Sequence, residues 1–183
     1  MGKTLIIAAF PGTGKSYYTS RRPYYSKQIL DSDSSMFSWT YNFDATRDRN
    51  KDFPRNYINY IDYWSYHLQK YPVMDSDLPL ELHEISGIIF TSTHKSVLEG
   101  LTKAHLPYYI AVPKNKDSVF SRYRSRNDTP EFIENMEKNY DQYMEDIKYV
   151  ADHDAHVKLV EVDTIEREFN KGTFKDGFYR RQI

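Results

Sequence analysis

The stretch from Leu5 to Ser16, LIIAAFPGTGKS, combines residue types and a spacing that could bind phosphate groups. In the pattern G-x-x-x-x-G-K-[ST], Ala9 takes the first glycine position, and Gly14, Lys15 and Ser16 complete the motif. Small residues let backbone amides approach phosphate oxygens, while Lys15 would reach the β and γ phosphates and Ser16 a magnesium ion. The residues predicted to bind the nucleotide are Pro11, Gly12, Thr13, Gly14, Lys15, Ser16 and Tyr17.

The alternative for this stretch is a glycine-rich turn that joins a strand to a helix and binds nothing. The apolar run from Leu5 to Ile7 is typical of a strand, and Lys15 to Arg22 is predicted to form a short helix that stops at Pro23. A phosphate-binding loop requires this order of strand, loop and helix. The context therefore favours the phosphate site, although the methyl group of Ala9 departs from the pattern.

Two carboxylates follow the next predicted strand, Ser26 to Leu30. Asp31 and Asp33 are two residues apart, so an extended backbone points both side chains the same way. Asp31 with Ser16 would organise magnesium, and Asp33 would orient an acceptor or take its proton. A solvated turn is the alternative, because Asp and Ser are common turn residues. The phosphate-binding motif upstream favours the site.

Two arginines supply the positive charge that phosphoryl transfer needs. Arg122 and Arg126 are four residues apart in a predicted helix from Asp117 to Arg126 and so share one face. A guanidinium group brought over the transferring phosphoryl group by a lid, at about residues 114–128, would stabilise its charge. A solvated basic face paired with acids such as Asp128 is the alternative.

The segment at about residues 34–55 is predicted to bind the acceptor, because it alternates aromatic and basic residues. Its aromatic rings could stack on a base and its guanidinium groups could meet a phosphate. Equally, the aromatic rings could simply pack the segment against the rest of the protein. The candidates are Trp39, Tyr41, Phe43, Arg47, Arg49 and Arg55.

The strand predicted at Gly87 to Thr91 lacks the acidic residue that motor ATPases place after such a strand to organise magnesium. It is followed by Ser92, Thr93 and His94. A motor ATPase is therefore disfavoured, and Asp163 after the last strand is a possible substitute. His94 could contact a phosphate or the acceptor, or could simply begin a helix that a Ser92 or Thr93 hydroxyl caps.

These residues need a scaffold, and the chain alternates strand and helix signals. Apolar residues at spacings of three and four predict a helix from Asn56 to Gln69, and Thr129-Pro130-Glu131 is a strong start for another, to about Val150. Five strand candidates alternate with helices, which predicts an α/β three-layer fold with a five-stranded parallel sheet. The remaining strand candidates are Tyr108–Val112 and Val157–Val162.

Composition limits the class of protein. The chain has 183 residues, the size of a single domain, and its net charge of −1 means that any site for a polyanion must be local. The absence of cysteine excludes a disulfide framework and a thiolate metal site. The sequence shows no signal-peptide pattern and no membrane-length apolar run, so we expect a cytoplasmic protein with no membrane partner.

The chain resembles the P-loop nucleoside and nucleotide kinase group, and more narrowly the small nucleotide-kinase-like (adenylate kinase-like) proteins of bacteriophages. The segments that carry the resemblance are AFPGTGKS at 9–16, DSDSS at 31–35, FPRNYI at 53–58, FTSTHK at 90–95 and RYRSR at 122–126. The Asp-Ser-Asp triplet also looks like that of shikimate-type kinases, whose paired aspartates serve magnesium and a substrate hydroxyl. A similar aspartate serves as the base in phage polynucleotide kinases.

The resemblance implies a phosphotransferase that uses ATP and Mg²⁺, with an acceptor region after the second strand and an arginine-bearing lid after the fourth. Lys15, Asp33, Arg122 and Arg126 are the predicted catalytic residues, and Ser16 and Asp31 the metal ligands. The predicted acceptor is a nucleoside monophosphate or related nucleotide. A hydroxyl acceptor, either a polynucleotide 5′ end or a small polyol, and a non-catalytic ATP-binding regulatory module are the alternatives.

Overall fold

The apolar strand candidates form one twisted sheet in the computed structural model of the chain, which describes residues 3–21, 29–34, 37–70, 85–174 and 178–179. The strands are β1 (Lys3–Ala9), β2 (Ile29–Asp31), β3 (Trp39–Tyr41), β4 (Arg47–Arg49), β5 (Ile85–Thr91), β6 (Tyr108–Pro113), β7 (Val157–Val162) and β8 (Phe178–Tyr179). The helices are α1 (Lys15–Ser20), α2 (Asn56–Lys70), α3 (Lys95–Lys103), α4 (Lys116–Ser125), α5 (Pro130–His153) and α6 (Ile165–Asn170).

Five parallel strands make up the sheet, in the order β2-β5-β1-β6-β7. This confirms the predicted five-stranded parallel sheet. One further strand was not predicted: β8 pairs antiparallel with Thr4 and Leu5 of β1. Because β5 occupies one edge of β1 along its length, β8 lies on the other edge, below the point where β6 pairs with Ile7 to Ala9.

The sheet is covered on both faces, so the molecule has three layers. Alternate residues of β1 explain why: Ile6 and Ala8 pack into one apolar cluster, and Leu5, Ile7 and Ala9 into the other. Helices α2 to α5 cover the first face, and α1 and α6 cover the second. All six residues of β6 are buried, as expected for a strand covered on both sides.

Local sequence fixes most helix starts. The side chains of Asn115, Thr129 and Thr164 each accept a hydrogen bond from the first turn of the helix that follows, α4, α5 and α6 respectively. The expected hydroxyl cap of α3 was wrong: His94 is the N-cap residue, and it makes no side-chain capping bond. The hydroxyl group of Ser92 contacts the His94 ring instead.

Several predicted bounds shift by a few residues. Helix α1 ends at Ser20, α4 covers Lys116–Ser125 and α5 continues to His153. Strand β2 begins at Ile29, and residues 22–28 of the predicted helix end and strand lie outside the described residues. In the chain after Asn170, Phe174 is buried and β8 joins the sheet, so this part of the predicted tail is docked.

The sheet order creates a crevice at the carboxyl ends of two neighbouring strands. From β1 the chain crosses to β2, which lies at one edge of the sheet. From β6 it crosses to β7, which lies at the opposite edge. Ligands of open parallel sheets bind where the strand order reverses in this way. The segment after β1, which carries the phosphate-binding motif, therefore lies at this crevice. Across the described ranges, no helix has both the length and the apolar character to cross a membrane.

Candidate phosphate-binding site

The loop between β1 and α1 has the backbone geometry that a phosphate site needs. Gly12 and Gly14 have φ values of 82° and 92°, a region that side chains with a Cβ rarely occupy. Within the described residues, the backbone amides of Gly12, Gly14, Lys15 and Ser16 donate to no protein acceptor. Four such amides in one short loop are available to the oxygens of an anion.

Backbone and side-chain bonds from three other segments hold this loop in place. Arg122 of α4 donates to the carbonyl oxygen of Gly12 at 2.7 Å and to that of Asp163 at 2.8 Å. The Tyr123 hydroxyl group donates to the carbonyl oxygen of Pro11 at 2.8 Å, and the Ile165 amide donates to that of Thr13 at 2.9 Å. Helices α4 and α6 therefore fix the shape of the loop from its two sides.

The outer nucleotide-binding candidates differ in what they can do. The buried Thr13 side chain donates to the carbonyl oxygen of Phe10 at 2.7 Å, so it stabilises the turn. Tyr17 is exposed on the outer surface of α1, where its ring lies against Arg21. Pro11 contributes its carbonyl oxygen to the bond with Tyr123.

Lys15 forms ion pairs with both predicted carboxylates. Its Nζ atom lies 3.1 Å from Asp31 Oδ1 and also contacts Asp33 Oδ2. The Asp33 amide donates to Asp31 Oδ1 at 3.1 Å, which fixes the two carboxylates relative to each other. Only 6% of the Asp31 side chain is exposed, against 39% of the Asp33 side chain. Asp33 is therefore the carboxylate that an incoming molecule can reach.

Electrostatics keep Lys15 and Asp33 charged. Burial alone would lower the pKa of Lys15, but the charges of Asp31 and Asp33 outweigh it and raise that pKa. Burial would likewise raise the pKa of Asp33, yet the Lys15 charge, hydrogen bonds from Lys15 and Tyr57 and the charge of Arg49 lower it. One positive charge faces two negative ones, so the cluster carries a net negative charge that can attract a cation.

Tyr57 is a site residue that was not predicted. Its hydroxyl group donates to Asp33 Oδ1 at 2.6 Å, and burial together with the Asp33 charge raises the pKa of Tyr57. Tyr57 is four residues before Ile61 on the buried face of α2. A tyrosine on an apolar helix face marks a hydroxyl group that needs a buried partner, and this signal could have identified it.

His94 lies beside this cluster at the carboxyl end of β5. Its Nδ1 atom lies 2.7 Å from the Ser92 hydroxyl oxygen, and its ring packs 5.1 Å from the Phe53 ring, centroid to centroid. Removal from water lowers the pKa of His94, which keeps the ring neutral at physiological pH. Of the two predicted alternatives for His94, the helix start is confirmed, because His94 is the N-cap residue of α3, and contact with a ligand stays a prediction.

The predicted acceptor region contains a two-stranded hairpin, β3 and β4. The Trp39 indole N–H donates to the carbonyl oxygen of Asp33, and the guanidinium carbons of Arg47 and Arg49 each lie 4.1 Å from the centroid of the Trp39 ring. Trp39 is thus covered by guanidinium groups. Arg55 lies apart from this cluster and pairs with Asp52.

The two predicted lid arginines have different surroundings. Arg122 bonds to the loop backbone, as described above, whereas Arg126 follows the end of α4 and pairs with Asp128. Arg126 is the C-cap residue of α4, and its amide still donates to the Arg122 carbonyl oxygen at 3.1 Å, but the two guanidinium groups bind different partners. Val119, Phe120 and Tyr123 of α4 are buried in the core. In this structure, α4 is a packed wall beside the loop.

The donor set near Ser16 suits magnesium bound together with a phosphate. The Ser16 hydroxyl oxygen lies 3.5 Å from Asp31 Oδ2. No group of three or more His, Cys, Asp or Glu side chains that could hold a metal alone occurs among the described residues. Mg²⁺ commonly takes one or two carboxylates plus substrate phosphates, so these oxygen donors fit that ion. Asp163, the possible substitute, pairs with Arg167 at 3.1 Å.

Comparison with known proteins gives no relative to guide the assignment. No protein-family model matches the sequence, and a search of curated proteins finds no match.

Proposed function

We propose that this chain is an ATP- and magnesium-dependent phosphotransferase whose acceptor is a nucleoside monophosphate or related nucleotide. The observation that carries the proposal is the contact of Lys15 with both Asp31 and Asp33, directly beside a loop with unpaired amides. A lysine, two carboxylates and free backbone amides are the groups that bind phosphates and their metal. The resemblance to P-loop kinases points in the same direction.

The chain's residues have distinct roles in this proposal. The amides of the loop and Lys15 bind the phosphate groups, and Ser16 with Asp31 holds magnesium. Arg122 positions the loop through the Gly12 carbonyl group. ATP, when bound, supplies the phosphoryl group that is transferred. Asp33 orients the acceptor, because it is the more exposed of the two carboxylates.

Lys15 must leave the carboxylates to reach a phosphate. Its contacts with Asp31 and Asp33 offset part of their negative charge, which otherwise would repel a polyphosphate. Magnesium held by Asp31 and Ser16 would take over that task when Lys15 turns to the phosphate. Nucleotide binding should therefore depend on the divalent cation.

A hydroxyl acceptor is the second candidate, and one observation favours it. Tyr57 and Lys15 hold Asp33 in a fixed position, and Asp33 is the more exposed carboxylate, so it could take a proton from an incoming hydroxyl group. A monophosphate acceptor offers an oxygen that is already ionised and needs no base. The two candidates therefore differ in how strongly transfer depends on Asp33.

The test offers purified protein ATP, Mg²⁺ and a panel of nucleoside monophosphates, a 5′-hydroxyl oligonucleotide and polyols. Transfer to monophosphates that is lost in Lys15→Ala and only weakened in Asp33→Ala supports the leading proposal. Transfer to hydroxyl groups, nearly abolished in Asp33→Ala, supports the second. Asp141→Ala is the control, since Asp141 is exposed and pairs with Lys116 far from the loop in sequence. ATP binding without transfer to any acceptor would instead indicate a regulatory module.

A further inference from the structure

The hairpin next to Asp33 separates its charges by face. Cross-strand pairing aligns Trp39 with Arg49 and Tyr41 with Arg47, so these four residues share one face, which we call the basic hairpin face. Thr40 and Asp48 lie on the opposite face, where the Asn42 side chain donates to Asp48 at 3.1 Å.

Arg47 and Arg49 form no ion pair with a carboxylate within the described part of the chain, although the positive charge of Arg49 acts on Asp33. Both guanidinium groups contact the Trp39 ring, and that of Arg49 also lies 4.4 Å from the centroid of Phe53. Arg55 differs, because it pairs with Asp52. Two arginines on one face that lack an ion pair and are held by aromatic rings are suited to bind an anion.

Beyond the arginines, the hairpin ends in exposed aromatic rings. The exposed fraction of Tyr41 is 57%, and Phe43 at the turn is fully exposed at 115%. The rings of Tyr41 and Phe43 make no aromatic contact within the described part of the chain. Stacking on nucleic-acid bases is a use of such rings that does not depend on base identity.

One bond fixes the base of the hairpin beside Asp33: the Trp39 indole N–H donates to the Asp33 carbonyl oxygen. The Asn50 amide donates to the Ser38 carbonyl oxygen at 3.0 Å and so closes the hairpin, and the Asn56 side chain donates to the Phe37 carbonyl oxygen at 2.7 Å and joins the hairpin to α2. The face therefore runs outward from Asp33 in a defined direction.

The length of the face exceeds one nucleotide. Phe43 lies four positions after Trp39, in the turn that follows β3, so at most about 13 Å of chain joins the two residues. A stacked strand rises roughly 3.4 Å per nucleotide, so this length admits at most about four nucleotides. A mononucleotide would occupy only the end near Asp33.

We infer that the basic hairpin face binds single-stranded nucleic acid and directs one end of the strand to Asp33. Arg47 and Arg49 contact the phosphates, and Tyr41 and Phe43 stack on bases. For what happens at Asp33, the inference rests on the second candidate of the proposed function, a hydroxyl acceptor at a polynucleotide 5′ end, whereas strand binding by the hairpin can be measured without it. The chain has a net charge of −1, so any site for a polyanion must be local, and the basic hairpin face is such a local site.

The experiment titrates the full chain into 3′-fluorescein oligothymidylates of two, four, eight and twelve nucleotides and follows anisotropy, with dTMP as competitor. We expect affinity to rise with length up to about four nucleotides and to weaken with added salt. The double variant Arg47→Gln/Arg49→Gln should bind at least tenfold more weakly with a smaller salt dependence, and Phe43→Ala at least threefold more weakly. Arg55→Gln is the matched control, because it removes one nearby charge that already has a partner.

Three results would overturn the inference. The first is no binding of oligothymidylate at any length, and the second is that dTMP displaces the labelled strand at the same concentrations as the unlabelled octamer does. The third is an equal loss of strand affinity in Arg55→Gln and in Arg47→Gln/Arg49→Gln. Circular dichroism of each variant separates loss of binding from loss of fold. ATP binding is measured in the same samples. Binding of ATP without binding of the strand refutes only the hairpin inference, and binding of the strand without ATP refutes only the proposed function.

Discussion

Among single residues, Lys15 and Asp33 form the contact on which the site depends. The contact is polar and largely removed from water on the Lys15 side, where 10% of the side chain is exposed. It links the loop after β1 to the turn after β2. Changes at either residue should therefore affect both stability and the proposed chemistry.

The stability of the protein should depend on pH through this pair. The pKa of Asp33 is lowered from 3.8, so its stabilising contribution is fully present above pH 3.8 and is lost as pH falls through the folded-state value. The pKa of Lys15 is raised from 10.5, so its contribution is present below pH 10.5 and is lost as pH rises through the folded-state value. Urea unfolding should show Asp33→Asn less stable than the wild type at pH 7, with the difference shrinking at pH 2.5. A difference that stays constant would refute the ion pair.

Tyr57 should influence the pKa of Asp33 without contacting ATP. Removal of the hydroxyl group in Tyr57→Phe deletes a hydrogen bond that lowers the pKa of Asp33, so that pKa should rise. If Asp33 takes a proton, the acid limb of the kcat profile should move to higher pH. Tyr60→Phe on the same helix is the control, since Tyr60 donates no hydrogen bond to Asp33. An acid limb that shifts equally in both variants would contradict the assignment.

At the scale of elements, α4 supports the loop between β1 and α1. Its residues Arg122 and Tyr123 bond to the carbonyl groups of Gly12 and Pro11, and α6 bonds to Thr13. A loop whose amides must face an anion needs its carbonyl groups held on the outside. These bonds do so.

Arg122→Met should therefore destabilise the protein and weaken ATP binding. It leaves two carbonyl groups without their charged donor, a loss of about 2 kcal/mol in the free energy of unfolding. Arg124→Met, which breaks only an exposed pair with Glu137, should cost less than about 1 kcal/mol. Chemical denaturation and ATP titration of both variants test this. Equal effects of the two substitutions would contradict the claim that Arg122 holds the loop in place.

Alanine substitutions at Gly12 and Gly14 distinguish a steric clash from backbone strain. An added Cβ at Gly12 would lie 2.9 Å from Tyr123 Cε1 and 3.0 Å from Val119 Cγ1, whereas at Gly14 the nearest atom is Thr164 Cβ at 3.7 Å. Both residues have positive φ, so alanine strains the backbone at both. Gly12→Ala should be about 1–3 kcal/mol less stable than Gly14→Ala, because only Gly12 contacts α4 so closely. Comparable free energies of unfolding would show that α4 does not pack against the loop as described.

For the molecule as a whole, the sequence predicts the sheet well because its strands are apolar and long. The runs in β1, β5 and β6 are covered on both faces, and such runs are recognisable without tertiary information. Five parallel strands and the helix start near Thr129 were predicted for these local reasons. The motif after β1 is likewise recognisable from spacing alone, and its binding of phosphate stays a prediction.

What the sequence could not predict depends on contacts between distant segments. Each strand of the hairpin has three residues, with polar Thr40 facing Asp48, and bonds from Asn50 and Asn56 hold it in place. Arg122 and Arg126 have the spacing of one helical face, but Arg122 bonds to the Gly12 and Asp163 carbonyl groups whereas Arg126 pairs with Asp128. The bond from Tyr57 to Asp33 joins residues 24 positions apart, which no local pattern encodes.

The central claim is that the loop from Ala9 to Ser16 binds the phosphates of a nucleotide with Lys15. Isothermal titration calorimetry of ATP with Mg²⁺ into the wild type, Lys15→Ala, Ser16→Ala and the control Lys116→Ala tests it most directly. We predict saturable binding to the wild type and Lys116→Ala, weaker binding to Ser16→Ala, loss of binding in folded Lys15→Ala, and dependence on the cation. Absence of binding to the wild type, or unchanged affinity in Lys15→Ala, would contradict it.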